Sequence, residues 1–224
     1  MGLVYSGVPT PLARALVDGL GLKVAVETGT NLGESTAVLA ELVDRVWTVE
    51  LSPKYAEWAR ARHTGTPAIT LLEGDSAAVL AGLAPRIDQP ALYWLDAHWC
   101  AGDSAGYDAQ CPLLGEIEAL DTSPAAAESA ILIDDASFFL AAPYPDYRRS
   151  DWPTFMEVAD RLRARHRRHI TTLLDVIIAT PPVGRAVVER FWQAKRDADM
   201  AESRERAHRA EEALRARSHA RGEP

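Results

Sequence analysis

Short apolar runs recur along the chain: Val24-Ala25-Val26, Val46-Trp47-Thr48-Val49, Ile69-Thr70-Leu71-Leu72, Leu92-Tyr93-Trp94-Leu95 and Ile131-Leu132-Ile133. They are near-continuous rather than alternating, the pattern of strands buried on both faces. Most of the gaps carry a helical period. Between the first two runs, Val38, Leu39 and Leu42 fall on one helical face, and Pro11 to Leu20 reads as a leading helix. Strand, helix, strand repeated in this way predicts βαβ units and a parallel sheet. Ile170 to Leu174 and Val176 to Thr180, parted by Asp175, predict a late strand pair or one bent strand, ended by Pro181-Pro182. From Gln193 onward the chain turns to Ala, Arg and Glu, with Glu202–Arg206 and Glu205–Arg209 spaced i,i+4. That predicts a solvated helix, the alternative being a helix that binds a partner or a second copy as a homodimer. The expected organisation is a domain over 1–192 and a charged helical tail over 193–224.

Composition narrows the class. Of 224 residues, 47% are hydrophobic and 25% charged, which allows a real core and excludes collagen, a disulfide scaffold and wholesale disorder. The 24 Lys and Arg against 32 Asp and Glu leave a net charge of −8, which argues against a nucleic-acid or anionic-membrane partner. Two cysteines, Cys100 and Cys111, are too few for a stapled framework. With His98 they fit no usual zinc spacing, and a disulfide is not expected in a reducing compartment. No apolar run nears the roughly 18 residues of a membrane span. The first residues, Met1-Gly2-Leu3-Val4-Tyr5-Ser6, lack the basic and apolar regions of a signal peptide. A cytoplasmic location is the expectation. The one strong basic run, Arg161 to His169, reads as an exposed face at a helix end, with a phosphate contact as the alternative.

The chemistry lies at the ends of the apolar runs, because parallel sheets bind ligands beyond the carboxyl ends of their strands. The first end is Glu27-Thr28-Gly29-Thr30-Asn31-Leu32-Gly33-Glu34-Ser35. Its Gly-x-x-x-Gly spacing, preceded by an acid, disfavours a pyrophosphate and favours a ligand bearing a carboxylate and an ammonium. Gly29 would let such a ligand approach the backbone. The second end is Glu50, suited to two ribose hydroxyls, and the third is Gly74-Asp75-Ser76, suited to an adenine edge. Each alone is also an ordinary helix cap; together they point to a nucleoside. The fourth and fifth ends are Asp96-Ala97-His98-Trp99 and Asp134-Asp135. If these strands are neighbours, three carboxylates converge, and a hard divalent ion such as Mg²⁺ would relieve their repulsion. The alternative is a helix cap at Asp134 with Asp135 facing water.

These residues make the chain resemble the class I S-adenosylmethionine-dependent methyltransferases. Among them it looks most similar to the divalent-metal-dependent O-methyltransferases of the catechol and macrocin types, over roughly Val24 to Thr180. The resemblance rests on Glu27-x-Gly29-x-x-x-Gly33-x-Ser35, Glu50-Leu51-Ser52-Pro53, Gly74-Asp75-Ser76, Leu95-Asp96 and Ile133-Asp134-Asp135. It implies a Rossmann-like α/β fold, a seven-stranded, mostly parallel sheet with helices on both faces. It implies that Gly29 and Gly33 pass the methionine part of the cofactor, Glu27 its ammonium and Ser35 its carboxylate. Glu50 would take the ribose, Asp75 and Ser76 the adenine, and Asp96, Asp134 and Asp135 the metal, expected to be Mg²⁺. The chain departs from the pattern at Trp99, where the catechol enzymes carry a lysine base; Trp99 would pack on adenine or line the acceptor pocket.

His98 is the natural substitute for that lysine, with Asp96 as a second candidate for taking the proton. A cofactor or metal contact and a structural role are the other readings of His98. The expected reaction is in-line transfer of a methyl group to a sugar, polyol or phenol hydroxyl of a secondary metabolite. A metal-independent N- or O-methyltransferase, or a cofactor-binding partner without turnover, are the alternatives. Two loops, 100–111 and 143–153, are expected acceptor lids, with Tyr107, Tyr144, Tyr147 and Trp152 available for stacking.

Overall fold

The computed structural model describes residues 7–100, 104–141 and 146–221, with side chains up to residue 210. The expected acceptor residue Tyr144 lies outside the described residues. The elements run α1 (Thr10–Leu20), β1 (Val24–Thr28), α2 (Glu34–Ala40), β2 (Arg45–Glu50), α3 (Pro53–Arg62), β3 (Ile69–Glu73), α4 (Ser76–Leu83), β4 (Ala91–Leu95), α5 (Leu113–Leu120), β5 (Ala130–Ile133), α6 (Phe155–Arg163), β6 (His169–Leu173), β7 (Val176–Thr180) and α7 (Arg185–Arg221). The seven strands form one sheet in the order β3-β2-β1-β4-β5-β7-β6, with β1 to β5 mutually parallel and β7 antiparallel to both of its neighbours. The late pair is a hairpin rather than one bent strand. Leu174 and Asp175, at φ 58° and 62°, supply the two left-handed residues that a two-residue turn demands.

Local chemistry sets the boundaries. Pro11 sits in the first turn of α1, and Gly21 ends that helix at φ 67°, its N–H returning to the Val17 carbonyl. Asp75 caps α4 by accepting from Ala78 N at 2.9 Å. Thr154 and Glu157 close a capping box at the start of α6.

The sheet is covered on both faces. Tyr93 and Leu95 of β4 pack in one cluster with Leu80 and Leu83 of α4, Ile117 and Leu120 of α5, and Val158 and Leu162 of α6. The alternate residues Ala25, Leu92, Leu132 and Ile178 are equally buried, and so are Leu12 and Leu16 of α1, which packs against β4. This double burial is why the strand runs are continuous rather than alternating.

Arg168, in the basic run, is not on an exposed face. It is 6% exposed, and its guanidinium donates to Asp121 Oδ1 at 2.6 Å and to the Leu162 carbonyl at 2.8 Å. The chain divides into two compact units, 1–185 and 186–224. The second unit continues α7, whose surface pairs include Lys195–Asp199 at 2.7 Å and Arg209–Glu205 at 3.5 Å. No helix among the described residues is long and apolar enough to cross a membrane.

Candidate active site

The strand order reverses direction between β1 and β4, and a crevice opens beyond their carboxyl ends. The ladder continues one residue past each strand. Gly29 N bonds Val49 O at 2.9 Å, Gly74 N bonds Glu50 O at 2.9 Å, Asp96 N bonds Thr28 O at 3.1 Å and Asp134 N bonds Leu95 O at 3.1 Å. The residues that follow successive strands therefore stand side by side on one rim. A cavity of about 590 Å³ occupies that rim, walled by Gly29–Leu32, Glu34–Ser35, Val49–Leu51, Gly74–Ala77, Asp96–His98 and Ser104–Gly106. Its size suits one or two small ligands.

At the β2 end, both Glu50 carboxylate oxygens are fixed, Oε2 by Asn31 N at 2.7 Å and Oε1 by Ser52 N at 2.8 Å. Lone pairs remain for a diol. Asp75 uses Oδ1 for its helix and stands on the cavity wall beside Ser76. Ser35 also lines the cavity, with its Oγ accepting from Val8 N at 3.2 Å and its hydroxyl proton left to donate. These groups fit an adenosine with an amino-acid tail.

Three of the expected cofactor residues, Glu27, Gly33 and Trp99, are not on the cavity wall. Glu27 is fully buried and absent from the cavity wall; its Oε2 accepts from Thr48 Oγ1 at 2.6 Å and from Thr36 Oγ1, while Oε1 has no hydrogen bond among the described residues. Burial outweighs the two threonines and pushes its carboxyl up to about 7. Gly33 is held close to the protein: at φ 75° a Cβ there would stand 2.4 Å from His63 Nε2, which itself lies 3.0 Å from the Gly33 carbonyl. Trp99 is 6% exposed and buried among aromatics, 5.3 Å from Tyr107 and 5.1 Å from Tyr147 between ring centroids. Indole area is better buried in that cluster than left facing solvent. Gly29 does line the cavity, but its small size first admits β4: a Cβ there would meet the Asp96 carbonyl at 2.1 Å.

At the β4 end, His98 Nε2 meets Asp135 Oδ2 at 3.0 Å and His98 Nδ1 lies 3.8 Å from Asp96 Oδ1. The imidazole rests against Phe138 and Trp152, at 5.9 and 5.4 Å between ring centroids. Burial by itself lowers the imidazole pKa, but the Asp135 hydrogen bond and the Asp96 and Asp134 charges more than reverse that, so it lies above 6.5. Burial pushes the Asp96 carboxyl well above its ordinary range, with Asp134 and Asp135 pushing the same way against the pull of His98. Burial and Asp135 bring Asp134 to about 6.

Among the described residues no three His, Cys, Asp or Glu side chains are grouped to hold a metal. The imidazole pairs with Asp135 Oδ2, while among the described residues Asp135 Oδ1 is buried without a hydrogen bond. Both cysteines are free, and burial drives the Cys111 thiol up to about 12, far from a thiolate.

Gln110, which no local pattern marks, joins the two expected lids. Fully buried, its Oε1 accepts from Arg148 N at 2.8 Å and Trp152 Nε1 at 3.1 Å, and its Nε2 donates to Asp146 O at 3.1 Å. Arg148 adds bonds to Asp151 Oδ2 at 2.7 Å and to the Tyr107 carbonyl. Glu116, 1% exposed on α5, is likewise unmarked in sequence, and burial pushes its carboxyl above the ordinary range.

No protein-family model matches the sequence, and no curated protein sequence does. Solved structures do match. An O-methyltransferase from Bacillus cereus, in complex with S-adenosylhomocysteine, shares 18% identity at a TM-score of 0.58, covering 79% of this chain and 82% of that one. The O-methyltransferase TomG from Streptomyces achromogenes, involved in tomaymycin synthesis and solved with S-adenosylmethionine, shares 15% at 0.56, covering 79% and 80%. An S-adenosylhomocysteine-bound Podospora anserina methyltransferase shares 19% at 0.51, covering 75% and 76%. At these identities the likeness is one of architecture, and the chain has the Rossmann-like fold of the class I methyltransferases.

Proposed function

We propose that this chain is an S-adenosylmethionine-dependent methyltransferase acting on a hydroxyl oxygen of a small molecule. The observation that carries the reading is the single cavity that has Glu50, Asp75 and Ser76 at one end and Asp96 with His98 at the other. The cofactor supplies a methyl group already activated on a sulfonium. Glu50 holds the ribose hydroxyls, Asp75 and Ser76 the adenine edge, and Ser35 with the 29–32 backbone the amino-acid end. His98 donates its Nε2 proton to Asp135, which leaves Nδ1 as the free acceptor on the Asp96 side. An acceptor hydroxyl bridging Asp96 and His98 Nδ1 loses its proton to the imidazole as the oxygen becomes nucleophilic. Asp135 then stabilises the imidazolium, as an orienting carboxylate does in other His-based sites.

The reaction as drawn runs through no metal. It is tested by methyl transfer from labelled S-adenosylmethionine to a panel of hydroxylated small molecules, with and without EDTA. Transfer is expected in both conditions and to fall about 100-fold or more in His98→Asn. Loss of transfer on chelation would restore the metal-assisted alternative.

A further inference from the structure

We infer that His63, with Arg62 beside it, is a positioning residue of the donor site: from the end of α3 the two hold the glycine loop in the shape that receives the amino-acid end of the cofactor. The inference rests on the donor site proposed above and adds to it two residues that are not on the cavity wall. Three consecutive loop residues are gripped in turn. Arg62 Nη1 donates to the Leu32 carbonyl at 3.4 Å and faces the Glu34 carboxylate at 3.8 Å, and between them His63 Nε2 meets the Gly33 carbonyl at 3.0 Å. Leu32 and Glu34 line the cavity on either side of Gly33, so a shift of Gly33 would move both.

The loop's own backbone calls for such a hold. Asn31 and Gly33 both sit in the left-handed region, at φ 49° and 75°, a conformation that costs an L residue about 1 kcal/mol or more. Within the loop Gly33 N bonds Thr30 O at 2.8 Å, and Asn31 N ties it to Glu50 Oε2 at 2.7 Å. The Arg62 and His63 contacts add a second element, α3, and α3 is a firm base. Ala56 and Ala59 are fully buried, Arg60 Nη2 donates to Glu73 Oε2 at 2.7 Å, and His63 N returns to the Ala59 carbonyl at 3.0 Å. A carbonyl only accepts, so His63 Nε2 carries the proton of the bond to Gly33. Burial lowers the imidazole below 6.5 against the pull of the Gly33 carbonyl, and Arg62 lowers it further, so a neutral ring makes this bond at neutral pH.

The test compares two ligands that share the adenosyl thioether and differ in the amino-acid end, S-adenosylhomocysteine and 5′-methylthioadenosine, by titration calorimetry into the full chain. His63→Ala is expected to weaken S-adenosylhomocysteine about tenfold and 5′-methylthioadenosine by less than about twofold. His63→Gln keeps an N–H donor at similar reach and should recover most of the loss. Arg62→Ala, at an exposed position, should show the same selectivity at about threefold. Equal loss for the two ligands, a lowered melting temperature with both affinities kept, or no recovery in His63→Gln overturns the inference. If His63→Ala does not fold, the two affinities of Arg62→Ala decide between these outcomes. Failure of S-adenosylhomocysteine to bind the unaltered chain would instead count against the proposed function.

Discussion

Glu27 is a carboxylate placed where water cannot reach it. Its pKa of about 7 in the fold, against 4.5 when unfolded, means that the folded chain keeps a proton the unfolded chain has lost between those values. Stability therefore falls as pH rises across that window, by about 3 kcal/mol for a shift of this size. Glu27→Gln keeps an acceptor for Thr36 and Thr48 without the charge. It is expected to raise the melting temperature at pH 8 and to change it little at pH 5, as read by calorimetry at both values. His98 gives a second residue-level expectation. A base must be unprotonated, so the rate should climb with pH through an inflection above 6.5, where burial is outweighed by the surrounding carboxylates. Asp135→Asn removes the largest raising contact and should move that inflection down while lowering the rate; an unmoved inflection would separate His98 from the proton transfer.

Among elements, the strands were legible and the loops were not. Runs such as Leu92-Tyr93-Trp94-Leu95 are apolar throughout because both faces of β4 are buried, so the strand needed no knowledge of its neighbours to be seen. The acids at strand ends were legible for a related reason: a charge directly after a buried run must emerge at the sheet edge. What could not be read are pairings set by distant chain segments. Arg168 looked like one more surface cation because its partner Asp121 is 47 residues away. Trp99 looked like an adenine shelf because nothing near it announces Tyr147. The lids are the fullest case, since Gln110 binds groups 36 to 42 residues away. Gln110→Ala should cost about 2–3 kcal/mol by leaving the Trp152 indole N–H and Arg148 N–H without their acceptor. Its specific mark is faster hydrogen exchange of the Trp152 indole proton with S-adenosylhomocysteine affinity nearly kept. Unchanged indole exchange would show that Gln110 does not hold the lids together.

At the scale of the whole molecule, the strand order matters more than any motif. Placing β1 beside β4 sets the glycine loop against Asp96, and β2 beside β1 sets Glu50 in the same crevice. A buried ion pair shows how the far side of the sheet is held. Breaking Arg168–Asp121 with Arg168→Met leaves an uncompensated buried carboxylate and should lower stability by about 3–5 kcal/mol in denaturant unfolding. Cofactor affinity measured at temperatures where that variant remains folded should not change.

One crevice is proposed to bind the adenosyl donor, with Glu50 on its ribose. Titration calorimetry of S-adenosylhomocysteine into the full chain and into Glu50→Ala tests this. One-to-one binding by the unaltered chain, weakened about 30-fold or more in the variant, is the predicted result, because two ribose hydroxyls lose a charged acceptor. Absence of binding by the unaltered chain, or equal affinity in the two proteins, would contradict it.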